Sequence, residues 1–492
     1  MNFFLKLVFP LFFLLFLYGC ATNKIPSSKA CDQLESVRTN ILLYHPYPYY
    51  NTGKKVTDSI FDVKREQLSS VKRVSKSDLL NDILEYTSSF NDGHLRIVPS
   101  MGNEMVNMLT ARYFPFDIMI KENMILVDYN YSECSDIKTG CRIIAIDGVK
   151  AQDFLTDLRN KIPSENQALK NQELSAYFPY KYWTLGNNRK KYTITLITLN
   201  NDTIVRNIQS ISSRKYNRNS FARKSLEFYH YFSEGNGTFY FETKADRLNE
   251  RLPKSFFYLT DSIAYYRMFR FSGTKDQECL ADKILALSIE RKVPYLIIDL
   301  TNNPGGRTTN FSTILKYFNK DTVFQVKRVI VRLNKQIYQD ALESMKRGDS
   351  LIYKRIASKQ ISDTVSLFSK YDFVLVKSQD NLFTGKLIVI VNEGTYSAAN
   401  AFAVIVRNNH LGLIAGNESG GFTNSFGDPV TVKLPKLGYV LSIPTKLIVQ
   451  DDFDKHVPLK PDVKIDVNAD LNENIDKKIK SIITQISTHR NN

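Results

Sequence analysis

Residues Gly385 to Gly421 read GKLIVIVNEGTYSAANAFAVIVRNNHLGLIAGNESGG. The opening run Leu387-Ile388-Val389-Ile390-Val391 is apolar at every position and rich in β-branched residues, which predicts a strand covered on both faces. Asn392-Glu393-Gly394-Thr395 is a turn signal, and after Ser397 the apolar residues Ala398, Ala401, Phe402, Ile405 and Val406 recur at helical spacing. Ser397 therefore stands where a buried strand becomes a helix. The first amides of a helix are unpaired donors at the positive end of its dipole. A serine there can be an N-cap, or a nucleophile exposed beside an oxyanion site. The segment alone leaves both readings open.

A second unit of the same kind lies upstream. Tyr295 to Leu300 (YLIIDL) predicts another buried strand, Thr301-Asn302-Asn303-Pro304-Gly305-Gly306 a tight turn, and Thr308 to Phe318 a helix. With the strand Ile263–Phe269 and the amphipathic helix Asp276–Ile289, these residues make a βαβ unit. Two strand-turn-helix units whose turns share one end of a parallel sheet form a crevice suited to a ligand. Val329–Val331 and Phe373–Val376 are expected to extend that sheet, and Val440–Ile443 and Lys446–Val449 to close it.

Four short stretches resemble one family, the tail-specific or C-terminal-processing serine peptidases. LIIDLTNNPGG (Leu296 to Gly306) is similar to its sheet segment L-I-x-D-L-R-x-N-x-G-G. NEGTYSAAN (Asn392 to Asn400) is similar to its nucleophile segment N-x-x-T-x-S-A-x-E. Asp92-Gly93-His94 matches its D-G-H, and Val457 to Ile465 (VPLKPDVKI) its closing motif around Pro-Asp. The four occur in the family's order from Asn91 to Ile465. Two positions depart from the pattern: Thr301 replaces an arginine, and Asn400 a glutamate.

The resemblance implies an α+β multidomain chain with an α/β (ClpP/crotonase-like) catalytic core. It implies Ser397 as nucleophile, His94 as general base in the tricorn-core-like branch, and an oxyanion hole from the amide of Ala398 with one from Gly305 or Gly306. The acidic member of that branch shortly precedes the closing motif. Asp451, Asp452 and Asp454 crowd that place; Asp454 is the choice, with Lys455 the other residue on which the position falls. The serine-lysine branch needs a lysine in the loop Gly416 to Phe422, which has none. The implied substrate is a peptide or an unfolded protein end, with no cofactor and no metal; the alternative is a degenerate relative that binds peptides without cutting them.

The remaining sequence sets the context. At 492 residues the chain has room for two or three domains, and its composition is that of a globular protein. Net charge is +16, but the basic residues are scattered, with no run longer than Arg189-Lys190-Lys191, which argues against nucleic-acid binding. Lys6, the apolar run Leu7 to Leu17 and Leu17-Tyr18-Gly19-Cys20 read as a signal segment (1–20) ending in a lipobox. On that reading Cys20 is lipidated, 21–30 is a tether, and the protein is exported to the periplasm or outer membrane. An ordinary signal peptide or a membrane anchor is the alternative. Cys134 and Cys141 are close enough in sequence for a local bridge. No zinc-type ligand spacing occurs.

In chain order, 31–100 reads as an N-terminal helical bundle leading into Asp92-Gly93-His94, with Ser77 as a helix cap and His45 as a structural histidine at a helix end. Residues 101–215 read as a small β-module. Gly140 to Gly148 resembles a PDZ segment, and Lys161–Asn188 reads as an insertion or lid. The α/β core spans 216–475, and 476–492 reads as a C-terminal tail.

Overall fold

The computed structural model describes residues 24–233, 235–242, 254–318, 323, 325–332, 334–346, 365–366, 381–467 and 474–490. The signal segment with Cys20, and the strand expected at Phe373–Val376, lie outside the described residues. No helix among the described residues is long and apolar enough to cross a membrane.

Seven strands form the central sheet, in the order Thr238–Phe241, Ser255–Leu259, Ile263–Met268, Tyr295–Asp299, Lys386–Val391, Leu413–Gly416 and Val463–Lys464. The first three are antiparallel and every later neighbour is parallel. Leu296, Ile298, Leu387, Val389 and Val391 point into a layer with the helices Lys275–Glu290, Phe311–Leu315 and Ala398–Asn408. Ile297, Ile388 and Ile390 point the other way, against Ile475, Ile479, Ile482 and Ile486. Both faces are covered, which is why the strands are apolar throughout.

Those four isoleucines belong to the helix Ile475–Arg490, so the expected tail is a packed element. Their spacing of four, three and four residues is an apolar helical stripe. Each is buried to within 6% of full cover, a burial that contributes about 1.5–3 kcal/mol per side chain.

A second sheet corrects two further expectations. Arg328–Val331 pairs antiparallel with Tyr439–Val449, a single strand where two were expected, and neither joins the central sheet. A short apolar run announces a strand without saying which sheet it joins. Ser425–Leu434 lies along Tyr439–Val449, and Arg96–Pro99 pairs with its first four residues, from Arg96 opposite Ser442 to Pro99 opposite Tyr439.

The N-terminal helices Ser27–Tyr44, Lys54–Ser69 and Lys76–Ser88 bury Leu34, Val37, Ile41, Phe61, Leu79 and Ile83 in one core with Leu434, Leu441 and Ile443 of that second sheet. The third helix is capped by Ser75 rather than Ser77: its Oγ accepts the Asp78 amide at 3.0 Å. Residues 116–209 carry an antiparallel sheet in the order Thr203–Gln209, Lys191–Ile197, Arg142–Ile146, Met124–Asn130, Phe116–Lys121. Cys134 and Cys141 are free thiols. Lys161–Asn188 contains the helices Gln167–Ala176 and Phe178–Thr184.

The central sheet is pinned to its C-terminal helix by a buried ionic cluster. Asp299 is fully buried and bonded by Tyr265, Arg267 and Thr301, with Lys478 Nζ at 3.1 Å. Burial alone would raise its pKa, but the charges of Arg267 and Lys478 hold the carboxyl well below the usual carboxylate range. Arg267 also donates to Thr301 Oγ1, so the residue that departs from the family pattern is part of the same cluster. Replacing Asp299 by Ala leaves two buried cations without an anion, and we expect a loss of about 3–5 kcal/mol, read from the urea midpoint. Because the folded pKa is depressed, the cluster's contribution is whole above the ordinary carboxylate pKa. It is lost as pH falls below that value through the folded one, and Asp299→Ala abolishes that part of the acid sensitivity.

Candidate active site

The turns after the strands Tyr295–Asp299 and Lys386–Val391 are joined by asparagine side chains. Asn392 Oδ1 accepts the Asn302 amide at 2.7 Å, and Asn392 Nδ2 donates to Asn302 Oδ1 at 2.8 Å. Thr395 Oγ1 donates to the Leu300 carbonyl at 2.8 Å, and the Tyr396 amide to the Asn303 carbonyl at 2.9 Å. Asn and Thr are favoured in turns because their short side chains substitute for backbone partners. Here they bridge two turns as well as closing one.

The result is a forced backbone at Ser397, with φ 52° and ψ −125°. An L-residue there is strained, typically by about 1–3 kcal/mol. Ser397 precedes the helix Ala398–Asn408, yet its side chain makes no capping hydrogen bond. Its Oγ lies 3.0 Å from His94 Nε2 instead. Of the two readings the sequence left open, the cap is excluded. Gly305 packs directly on this bend: with φ +93°, an added Cβ would sit 2.7 Å from both Ser397 Cβ and the Ala398 nitrogen.

His94 comes from the N-terminal region, 303 positions before Ser397. The turn Asn91–His94 follows the third N-terminal helix, and Arg96–Pro99 then locks onto the second sheet. Asp92, fully buried, accepts the His94 amide on Oδ1 at 2.8 Å, and its Oδ2 lies 3.0 Å from His45 Nε2. His45 Nδ1 accepts the Tyr47 amide at 3.2 Å, so its proton is on Nε2 and is donated to Asp92. Burial would push the Asp92 carboxyl up, but hydrogen bonds from His45 and His94 hold it well below the usual range. His45 is structural, as expected, and its task is to fix the carboxylate that shapes the His94 turn.

The other ring nitrogen meets a group the sequence did not announce. His94 Nδ1 lies 2.8 Å from the Tyr396 hydroxyl, which donates to Glu165 Oε1 at 2.8 Å. The Tyr396 ring stacks on the imidazole with centroids 4.9 Å apart. Gly93 makes this possible, since a Cβ there would lie 2.5 Å from the Tyr396 hydroxyl oxygen. Glu165 sits in the supposed lid, just before the helix Gln167–Ala176. Its neighbour Asn166 caps that helix and donates to the Gly420 carbonyl at 2.9 Å. Burial, then the charge of Asp92, pushes the Glu165 carboxyl up to about 7. Ligand-type atoms of Asp92, His94 and Glu165 all lie within 4.8 Å of one another, a spacing a cation could also span. In the structure that space is bridged by the Tyr396 hydroxyl.

Two further sequence-derived residues need correction. Asp454 does not stand with His94: it is exposed, and its charge acts on Tyr50 and His456. Lys455 pairs with Asp451 and Asp452, so neither residue at the family position reaches the imidazole. Gly305 is not a free donor, because its amide donates to Asn303 Oδ1 at 2.9 Å. Gly306 is the remaining candidate beside Ala398, and neither amide has a hydrogen-bond partner among the described residues. Asn400 donates to the Phe422 carbonyl at 2.7 Å and supports the loop behind the helix. Ser397 contacts no lysine among the described hydrogen bonds.

Residues 262–465 match Peptidase family S41. No curated protein sequence matches the chain. Among solved structures, the crystal structure of a CPAF mutant superposes with a TM-score of 0.65 at 15% identity, over 93% of this chain and 96% of that one. Mature CPAF complexed with lactacystin superposes with a TM-score of 0.62 at 16% identity, over 94% of this chain and 99% of that one. At these identities the likeness is one of fold, and it runs along nearly the whole chain. Three of the four motifs fall inside the matched region, and the resemblance they carried is borne out: residues 262–465 are similar to Peptidase family S41, which supports a serine-type peptidase.

Proposed function

We propose that the chain is a cell-envelope serine endopeptidase that cleaves peptides or unfolded, C-terminal protein segments through an acyl-enzyme. The observation that carries this reading is the 3.0 Å contact between His94 Nε2 and an Oγ that caps nothing. Ser397 Oγ attacks the scissile carbonyl while His94 Nε2 takes its proton. The carbonyl oxygen becomes an oxyanion facing the amides of Ala398 and Gly306, at the positive end of the helix Ala398–Asn408. His94 then returns the proton to the leaving amine, and water repeats the cycle to release the acid. The antiparallel module at 116–209 is read as PDZ-like, holding an extended peptide by strand addition. Leu17-Tyr18-Gly19-Cys20 supports export and lipidation.

The test is the intact mass of the folded protein, produced from Ala21 onward, after treatment with a fluorophosphonate. We expect one adduct on the unchanged protein and none on Ser397→Ala or His94→Ala, with hydrolysis of an unfolded protein falling by up to about a million-fold in both. Absence of an adduct on the unchanged protein would move the assignment to a peptide-binding relative. A second expectation follows from the contact at Gly93: Gly93→Ala displaces Tyr396 and with it the imidazole, and kcat falls about 100-fold. Adduct formation slowed by a similar factor, with an unchanged melting temperature, would locate that loss in the site.

A further inference from the structure

We propose that Tyr396 and Glu165 are positioning residues that set the tautomer of His94, in the place where a triad has its carboxylate. The inference rests on the serine peptidase reading above. For His94 Nε2 to accept the Ser397 proton, the ring's own proton must be on Nδ1, and Nδ1 needs an acceptor. The atom at hydrogen-bond distance is the Tyr396 oxygen, at 2.8 Å. A hydroxyl is ambivalent, because it can accept from Nδ1–H or donate to a bare Nδ1. What settles its direction is the next group along. Ionised Glu165 only accepts, so at 2.8 Å it takes the tyrosine proton and turns the oxygen's lone pair toward Nδ1–H.

Asp92 is the competing acceptor, and the geometry argues against it. Its Oδ1 lies 3.5 Å from Nδ1 and already takes the His94 amide at 2.8 Å, while its Oδ2 holds His45. Asp92 fixes the backbone of the turn and makes only the longer contact to the ring, whereas the hydroxyl makes the short one. The second oxygen of Glu165 is buried without a hydrogen-bond partner among the described residues, so the bond to Tyr396 is the carboxylate's one side-chain hydrogen bond there. When Ser397 attacks, its proton moves to Nε2 and the imidazolium's Nδ1–H stays bonded to Tyr396. No proton need pass along the chain to Glu165. The charge of the carboxylate, relayed by one polarised hydroxyl, stabilises the imidazolium.

The relay is directional, and acid reverses it. A protonated Glu165 donates to the Tyr396 oxygen, the tyrosine proton turns to Nδ1, and the ring proton is driven to Nε2, where it blocks proton transfer from Ser397. The groups whose charges act on this carboxyl are Asp92, which disfavours its ionisation, His94, Arg96 and Lys170, which favour it, and the Tyr396 hydroxyl. With Glu165 titrating at about 7, kcat/KM should fall as pH drops through that value, because the protonated carboxyl reverses the relay.

The experiment combines ¹⁵N-histidine NMR of the full chain with kinetics on Tyr396→Phe, Glu165→Gln and the double variant. At pH 8 the His94 ring, assigned by its loss in His94→Gln, should show Nδ1–H in the unchanged protein and a shift toward Nε2–H in all three variants. On an unfolded-protein substrate, kcat should drop about 10²–10⁴-fold with KM within about twofold. The double variant should be no slower than Tyr396→Phe, since Glu165 acts through that hydroxyl. The acid limb of Glu165→Gln should lose the ionisation near 7. Nδ1–H retained in Tyr396→Phe, or losses that multiply in the double variant, would overturn the relay and return the role to Asp92. The tautomer is read without substrate, so a chain that cleaves nothing would sink the peptidase reading while leaving this one to be decided by NMR.

Discussion

The reciprocal amide pair between Asn302 and Asn392 fixes the distance between two turns that have no covalent reason to touch. Everything chemical in the molecule is downstream of that distance. With the turns pinned, the Asn303 carbonyl holds the Tyr396 amide, Gly305 presses against the following bend, and Ser397 is left in a backbone conformation it would not adopt alone. The strained residue presents its hydroxyl away from the helix it precedes. A serine with relaxed angles would turn back and cap that helix. The asparagine pair therefore helps to hold Ser397 in the conformation that leaves its hydroxyl off the helix and beside His94.

The second requirement is that His94 be brought to this bend, and the N-terminal region does so through its hydrophobic core. Its helices share that core with Leu434, Leu441 and Ile443, and the strand Arg96–Pro99 zips into the sheet that carries them. The imidazole sits two residues before the start of that strand, so the strand's register sets its position. A shift of one residue would invert every side chain of Arg96–Pro99 and carry His94 off Ser397. The region read as a separate helical domain thus forms one wall of the site.

Ser397 was legible because a wholly apolar strand, a turn of Asn, Gly and Thr, and a helical stripe follow one another without a gap, and each obeys a local rule. His94 was legible only through its motif, because no local pattern distinguishes a base from a solvated histidine. Glu165 was not legible. It lies in a polar stretch of the supposed lid and reaches the site through the hydroxyl of Tyr396, a residue whose position beside Ser397 was in view but whose partner was not. Asp454 failed for the converse reason. Three acids crowd one surface turn: Asp451 and Asp452 pair with Arg407, Lys327 and Lys455, and the charge of Asp454 acts on Tyr50 and His456 rather than on the imidazole. The C-terminal helix Ile475–Arg490 carries isoleucines at helical spacing, but a single short stripe at a chain end does not by itself say what it packs against.

The contact between His94 and Ser397 joins residues 303 positions apart, with a strand pairing and two domain cores between them. A ribosome must therefore complete almost the whole chain before the two can meet. A nascent or unfolded copy holds a serine and a histidine of ordinary reactivity, and the catalytic pair comes into being only with the last elements of the fold. Timing of this kind delays the pairing of serine with histidine until the fold around them is in place.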